Sequence, residues 1–192
     1  DLKTLTLEDK ITIMVELILI IKYLHDKGFV YRDLKPNNVI IDENKTVFLI
    51  DFDRMVSINS QKREIEDITK NFLSKFVAPE VNNGDITFKN DIYSLGKIIE
   101  YLQLEKENDD IFSLYQKCTN YQTNQRPSVF ELIQKFHSIF FEYMNETLIV
   151  NFHEIQYMQG LIYKDGKYVI QDINKSVLYF ILAANGNDSN AQ

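Results

Sequence analysis

Cysteine, glycine and basic charge are all scarce in this chain of 192 residues, and each scarcity removes a class of function. The single cysteine, Cys118, excludes an internal disulfide framework and any cysteine-based zinc cluster, and it is expected as a core or half-buried thiol. Cysteine use this low makes the reducing cytoplasm the expected location. Lys and Arg number 21 against 28 Asp and Glu, a net charge of −7, so the clustered cationic face that DNA or RNA demands is not expected. Only 6 glycines are present, too few and too scattered for a glycine-rich phosphate loop. No apolar run is long enough to span a bilayer. The longest, Ile11 to Ile21, is interrupted by Glu16 and followed by Lys22, and it reads as a buried helix with apolar residues almost all round. An apolar content of 45% and a charged content of 26% are those of a globular protein with one ordinary core.

The most informative stretch is Tyr31-Arg32-Asp33-Leu34-Lys35-Pro36-Asn37-Asn38. An acid, a lysine and an amide stand at offsets 0, +2 and +5 on one short loop. Phosphoryl transfer uses this set: Asp33 to orient a hydroxyl and take its proton, Lys35 to neutralise charge on the phosphoryl group, and Asn38 to coordinate Mg²⁺ through its oxygen. Next comes a short apolar strand, Val47-Phe48-Leu49-Ile50, and directly after it Asp51-Phe52-Asp53. Ala78-Pro79-Glu80 ends 29 residues after Asp51 (80 − 51 = 29). Asp91-Ile92-Tyr93-Ser94-Leu95-Gly96 opens a helical apolar pattern, and Gln125-Arg126-Pro127-Ser128 closes the series.

In order and spacing these five motifs resemble the large lobe of eukaryotic protein kinases, over about residues 2–141. The Asp-Leu-Lys-Pro form resembles serine/threonine kinases more than tyrosine kinases. The fold this implies is mainly α (α+β): a kinase C-terminal lobe over 1–143 with short β-hairpins at the catalytic cleft. The resemblance implies catalytic roles for Asp33, Lys35 and Asn38, ATP contacts through Lys35, Asn38 and Asp51, and Mg²⁺ held by Asn38 and Asp51. Arg32 would read a phosphate on the activation segment, where Ser57, Ser60, Thr69 and Ser74 are candidate acceptors. Glu80 and Arg126 would form a buried ion pair, and Asp91 would cap the central helix and hold the catalytic-loop backbone. The implied reaction moves the γ-phosphoryl of ATP to a protein hydroxyl.

Four positions depart from the family pattern. Tyr31 stands where His is usual, a mild change if the residue serves apolar packing. Asp53 replaces a Gly that reaches φ > 0 freely; Asp is disfavoured in such geometry and adds charge beside the metal, so it is expected either to weaken the conformational switch of that segment or to assist a cation. Leu73 stands where serine/threonine kinases keep a threonine that bonds the catalytic Asp, with Ser74 beside it as a compensating hydroxyl. The interval from Leu104 to Gln125 leaves a family helix shortened or missing. A pseudokinase scaffold is the alternative these departures motivate.

No small lobe with its glycine-rich loop and lysine precedes the catalytic loop in this stretch, so a fragment of a longer parent is expected, a natural truncation being the alternative. Residues 144–192 resemble a Sel-one-like helical-hairpin repeat. Gly160 and Tyr163 fall on a first helix, Lys164-Asp165-Gly166-Lys167 on a loop, and Asp172, Lys175, Tyr179, Phe180, Ala183 and Ala184 on a second. Ile155, Gln159 and Ser176 depart from that pattern, and an ordinary helical extension is the other reading. Since such repeats act in arrays, the parent is expected to continue past Gln192. The partners implied are a protein substrate and proteins bound through the repeats, with no nucleic acid and no membrane.

Overall fold

In the computed structural model, residues 5–42, 46–60 and 74–143 are described. The chain divides into two compact units, Asp1–Phe140 and Phe141–Gln192. The expected repeat over 144–192, the acceptor Thr69 and the position of Leu73 lie outside the described residues.

Helix α1, Leu7–Asp26, begins with a reciprocal cap. Thr6 Oγ1 accepts from Asp9 N, and Asp9 Oδ2 accepts from Thr6 N, both at 3.1 Å. Such a box satisfies two donors that the helix start leaves open and contributes on the order of 1 kcal/mol. Ile11, Met14, Ile18 and Ile21 form one buried stripe, with Ile13, Leu17 and Leu24 beside it. Together they cover the wide apolar face expected of this segment. Among the described residues, no helix is long and apolar enough to cross a membrane.

The described strands are short and pair antiparallel in twos. β2, Val39–Ile41, and β3, Val47–Leu49, form a hairpin in the register Val39↔Leu49. β1, Phe29–Val30, pairs instead with the distant β4, Val56–Ser57, through Val30↔Val56. That pair joins strands distant in sequence rather than a hairpin. It ties the start of the catalytic loop to the chain after Asp51. Gly28, at φ 78°, turns the chain into it, and its carbonyl accepts from Ile58 N at 2.8 Å.

Helix α2, Lys89–Tyr101, is the central element. It buries Ile92, Leu95, Ile98 and Ile99 and packs on α1 and on α3, Asp109–Cys118. Gly96 lets α2 and α3 approach: a Cβ there would stand 2.7 Å from Cys118 Cβ. Cys118 is fully buried, and that burial pushes its thiol up to about 12. Between Leu104 and Gln125 stand a 3-10 turn, Leu104–Lys106, then α3, then a second 3-10 turn, Thr123–Gln125. Helix α4, Val129–Tyr143, follows.

Candidate active site

The catalytic loop leaves β1, passes a left-handed residue at Arg32 (φ 70°), is extended at Lys35 and then tightens into a 3-10 turn, Pro36–Asn38. Pro36 starts that turn with its ring-fixed φ, where a backbone donor would go unused. The turn brings the Asn38 amide nitrogen back to Asp33, 2.9 Å from its carbonyl oxygen and 3.0 Å from Oδ2. Lys35 Nζ donates to the same Oδ2 at 2.7 Å. Asp33 is only 3% exposed, so its carboxylate is held by neighbours rather than by bulk water. The structure thus brings together the acid, the lysine and the amide singled out in the sequence.

Asp51 follows β3 on a segment anchored twice at its first residue. Ile50 N donates to Asn38 O at 3.0 Å, and the Tyr31 hydroxyl donates to Ile50 O. The Tyr31 ring also meets Phe52 edge-on, with centroids 5.5 Å apart. Tyr31 therefore does more than the apolar packing expected of it. Burial raises its phenol above the ordinary value, with the nearby carboxylates of Asp33, Asp51 and Asp91 adding to the rise. The group stays a proton donor.

Asp53 does not take the left-handed conformation that the Gly it replaces reaches freely. Among the described residues the left-handed φ values of non-glycine side chains belong to Arg32 (70°), Asp51 (63°) and Gln103 (59°). An Asp tolerates that region better than most residues, because its short side chain bonds locally. Two of the three strained positions thus flank the candidate chemistry, as strain at working sites commonly does.

Asp91 holds the loop from below. Its Oδ2 accepts from Tyr31 N at 2.9 Å and its Oδ1 from Arg32 N at 2.8 Å. His25 Nε2 stands 2.8 Å from the same Oδ2, and its ring lies against Phe88. The expectation that Asp91 caps α2 is corrected here: its carboxylate points at the loop, and Phe88 occupies the cap position with no side-chain bond. Thr87 Oγ1 accepts from Lys89 N at 3.2 Å instead.

Arg32 is buried, and its guanidinium is lowered from its ordinary value, first by that burial. Ser74 does not supply the hydroxyl proposed for Asp33: its Oγ accepts from Phe76 N in its own turn. Arg54 was not foreseen. Its Nε lies 3.9 Å from Asp33 Oδ2, a second cation at the carboxylate that Lys35 already contacts. The signal in the sequence was a basic residue three positions after Asp51.

Glu80 and Arg126 meet as a two-pronged pair, with NH1 to Oε1 at 2.6 Å and NH2 to Oε2 at 2.8 Å. Asn90 donates to Oε1 at 2.6 Å, and Arg126 Nε donates to Asn120 O at 2.8 Å. Burial alone would raise the Glu80 carboxyl. The bonds and charge of Arg126, helped by Asn90 and the backbone, outweigh it and hold the group below the ordinary carboxylate value.

The sequence model of the protein kinase domain matches residues 2–108, more than half of the chain. The chain belongs to the protein kinase domain family. A Dictyostelium discoideum protein named "probable serine/threonine-protein kinase" is 29% identical over 152 residues, which cover 66% of this chain and 36% of that protein. Serine/threonine-protein kinase D of Synechocystis is 31% identical over 111 residues, 55% of this chain and 22% of its own. Over 38 residues the identity with the Arabidopsis thaliana serine/threonine-protein kinase OXI1 rises to 63%, covering 20% of this chain and 9% of that one. The chain spans well under half the length of these relatives.

Kinases use ATP with Mg²⁺, and the donor set of this kinase domain fits that pair. Asn38 spends its amide nitrogen on Asp33, which leaves its oxygen as the end for a cation. Asp51 is exposed and offers a carboxylate. Among the described residues no cluster of three or more His, Cys, Asp or Glu could hold a metal alone. An amide oxygen and a carboxylate are the hard donors Mg²⁺ takes, one or two from protein with phosphate and water completing its shell.

Proposed function

We propose that the protein is a serine/threonine kinase that moves the γ-phosphoryl of ATP to a protein hydroxyl. The observation that carries this reading is the convergence of Lys35 and Asn38 on Asp33 Oδ2, beside the doubly anchored segment that presents Asp51. Asp33 orients the substrate hydroxyl and takes its proton. Lys35 is within reach of both that acid and an incoming phosphate, so it offsets charge as the phosphoryl group transfers. Asn38 and Asp51 hold Mg²⁺, which when bound neutralises the phosphates. Asp91 and Tyr31 position these groups without touching substrate.

The domain reading belongs to the same proposal: a kinase large lobe over 1–143, then a Sel-one-like repeat over 144–192 that docks protein partners, in a cytoplasmic protein. Arg32 is assigned to a phosphate on the activation segment. The pseudokinase alternative rests in part on the charge that Asp53 adds beside the metal, from a backbone outside the left-handed region. Leu73 and the short interval before Arg126 are its other arguments.

Magnesium dependence tests the proposal. In the full-length protein, Asn38→Ala and Asp51→Ala are expected to raise the Mg²⁺ concentration needed for transfer from labelled ATP and to lower kcat by at least tenfold, about 1.4 kcal/mol of barrier. Variants with wild-type kcat and Mg²⁺ requirement would remove both residues from the site.

A further inference from the structure

Far along the chain from the catalytic loop, α3, α4 and the loop between them line an open concavity of about 660 Å³. Its walls follow from helical spacing. Leu114 and Lys117 are three apart on α3, while Glu131, Gln134, Lys135 and Ser138 fall at i, i+3, i+4 and i+7 on α4. Asn124 to Pro127, and Lys89 at the start of α2, complete the lining.

The charge of this cavity opposes that of the molecule. Lys89, Lys117, Arg126 and Lys135 line it against one carboxylate, Glu131, in a chain whose net charge is −7. Two of the cations are committed: Arg126 to Glu80, and Lys89 Nζ to the Arg126 carbonyl. Glu131 is turned to its own helix start, where it accepts from Ser128 N at 2.6 Å and from Ser128 Oγ at 2.8 Å. Lys117 and Lys135 are exposed, stand on different helices, and form no ion pair among the described residues. Glu131, held below the ordinary carboxylate value first by its bonds from Ser128 and then by the charges of Lys89 and Lys117, is the one carboxylate in the lining, so four cations still leave the concavity net positive and suited to an anion.

We propose that this cavity is a docking site for a phosphorylated segment of a protein, with Lys117 and Lys135 clamping the phosphate. The volume exceeds what a bare phosphate needs and lies in the range of pockets that hold several groups of a ligand. Asn124, Gln125 and Gln134 add carboxamides that both donate and accept, the match for peptide backbone. The net acidity of the chain disfavours long polyanions such as RNA and anionic bilayers, whose charge acts over a Debye length, but not a short local one. Because Arg126 lines the cavity and also grips Glu80, the docked segment sits against the anchor of the activation segment. The site is independent of whether phosphoryl transfer occurs.

The test is fluorescence anisotropy on the full-length protein with a short fluorescein-labelled peptide carrying phosphoserine, beside its unphosphorylated twin. The phosphorylated peptide is expected to bind at least tenfold more tightly. The double variant Lys117→Glu with Lys135→Glu should lose that preference, and the milder Lys117→Gln with Lys135→Gln should weaken it at least tenfold. Both variants should melt as the wild type does. Equal affinity for the two peptides, or a phosphopeptide preference untouched in the folded variants, would overturn the proposal. So would displacement by inorganic phosphate at the concentration of peptide itself, or tighter binding of RNA or anionic vesicles to the same lysines.

Discussion

Asp91 Oδ2 accepts the backbone N–H of Tyr31 across 60 positions of sequence, at 2.9 Å, and Oδ1 takes the next amide, Arg32 N, at 2.8 Å. The fully buried carboxylate thereby fixes the backbone that carries Asp33. Asp91→Ala is expected to strand two buried amides, each worth roughly 1–3 kcal/mol, and to lower stability by about 2–6 kcal/mol. A urea melt measures this. A loss under about 0.5 kcal/mol, the size of an ordinary surface change, would contradict the assigned role.

The Glu80–Arg126 pair predicts a pH dependence of stability. Glu80 is held below the ordinary carboxylate value in the folded chain. Its contribution is therefore fully present above the unfolded value of about 4.3 and is lost as pH falls through the folded value. Glu80→Gln leaves the buried Arg126 charge uncompensated, and it should cost about 3–5 kcal/mol at neutral pH. The gap to wild type should close in acid, where Glu80 is protonated in both states. Melts at the two pH extremes decide it, and a constant gap would show that the charge on Glu80 does not matter.

Tyr31→Phe keeps the ring against Phe52 and deletes the bond to the Ile50 carbonyl. The expected outcome is a stability loss of about 0.5–1.5 kcal/mol, with kcat lowered more than KM because Asp51 is less well placed. A KM effect with kcat unchanged would assign Tyr31 to substrate binding instead.

Gly96→Ala places a methyl group 2.7 Å from Cys118 Cβ and 2.8 Å from Thr119 Cγ2, forcing α2 and α3 apart. Overpacking of this kind costs about 1–3 kcal/mol. Adding Cys118→Ala should not rescue it, since Cβ is retained. Full rescue would mean the clash is with the sulfur.

The sequence disclosed what is local. Asp33, Lys35 and Asn38 lie within six residues, so their spacing nearly fixes their geometry, and the turn at Pro36 completes it. The buried face of α1 was legible from its apolar run, and the role of Asp91 toward the loop came from resemblance. Contacts that span the fold were not legible. His25 meets Asp91 across 66 positions, and nothing in its own neighbourhood says so. The β1–β4 pair joins two-residue strands, too short to show an alternating pattern. The backbone at Asp53 was not legible, because a positive φ depends on how the whole segment turns, and here the turn puts it at Asp51. Arg54 approaches Asp33 only because β4 returns to β1.

The central claim is that Asp33, held by Lys35 and Asn38, serves phosphoryl transfer. Its most direct test is incorporation of labelled phosphate from Mg-ATP into a protein substrate by the full-length protein, beside Asp33→Asn. The account predicts transfer by the wild type and a loss of at least a hundredfold in the variant, the size of a positioned acid–base contribution, with both proteins melting cooperatively. Equal transfer by the two, or none by a folded wild type, would contradict it.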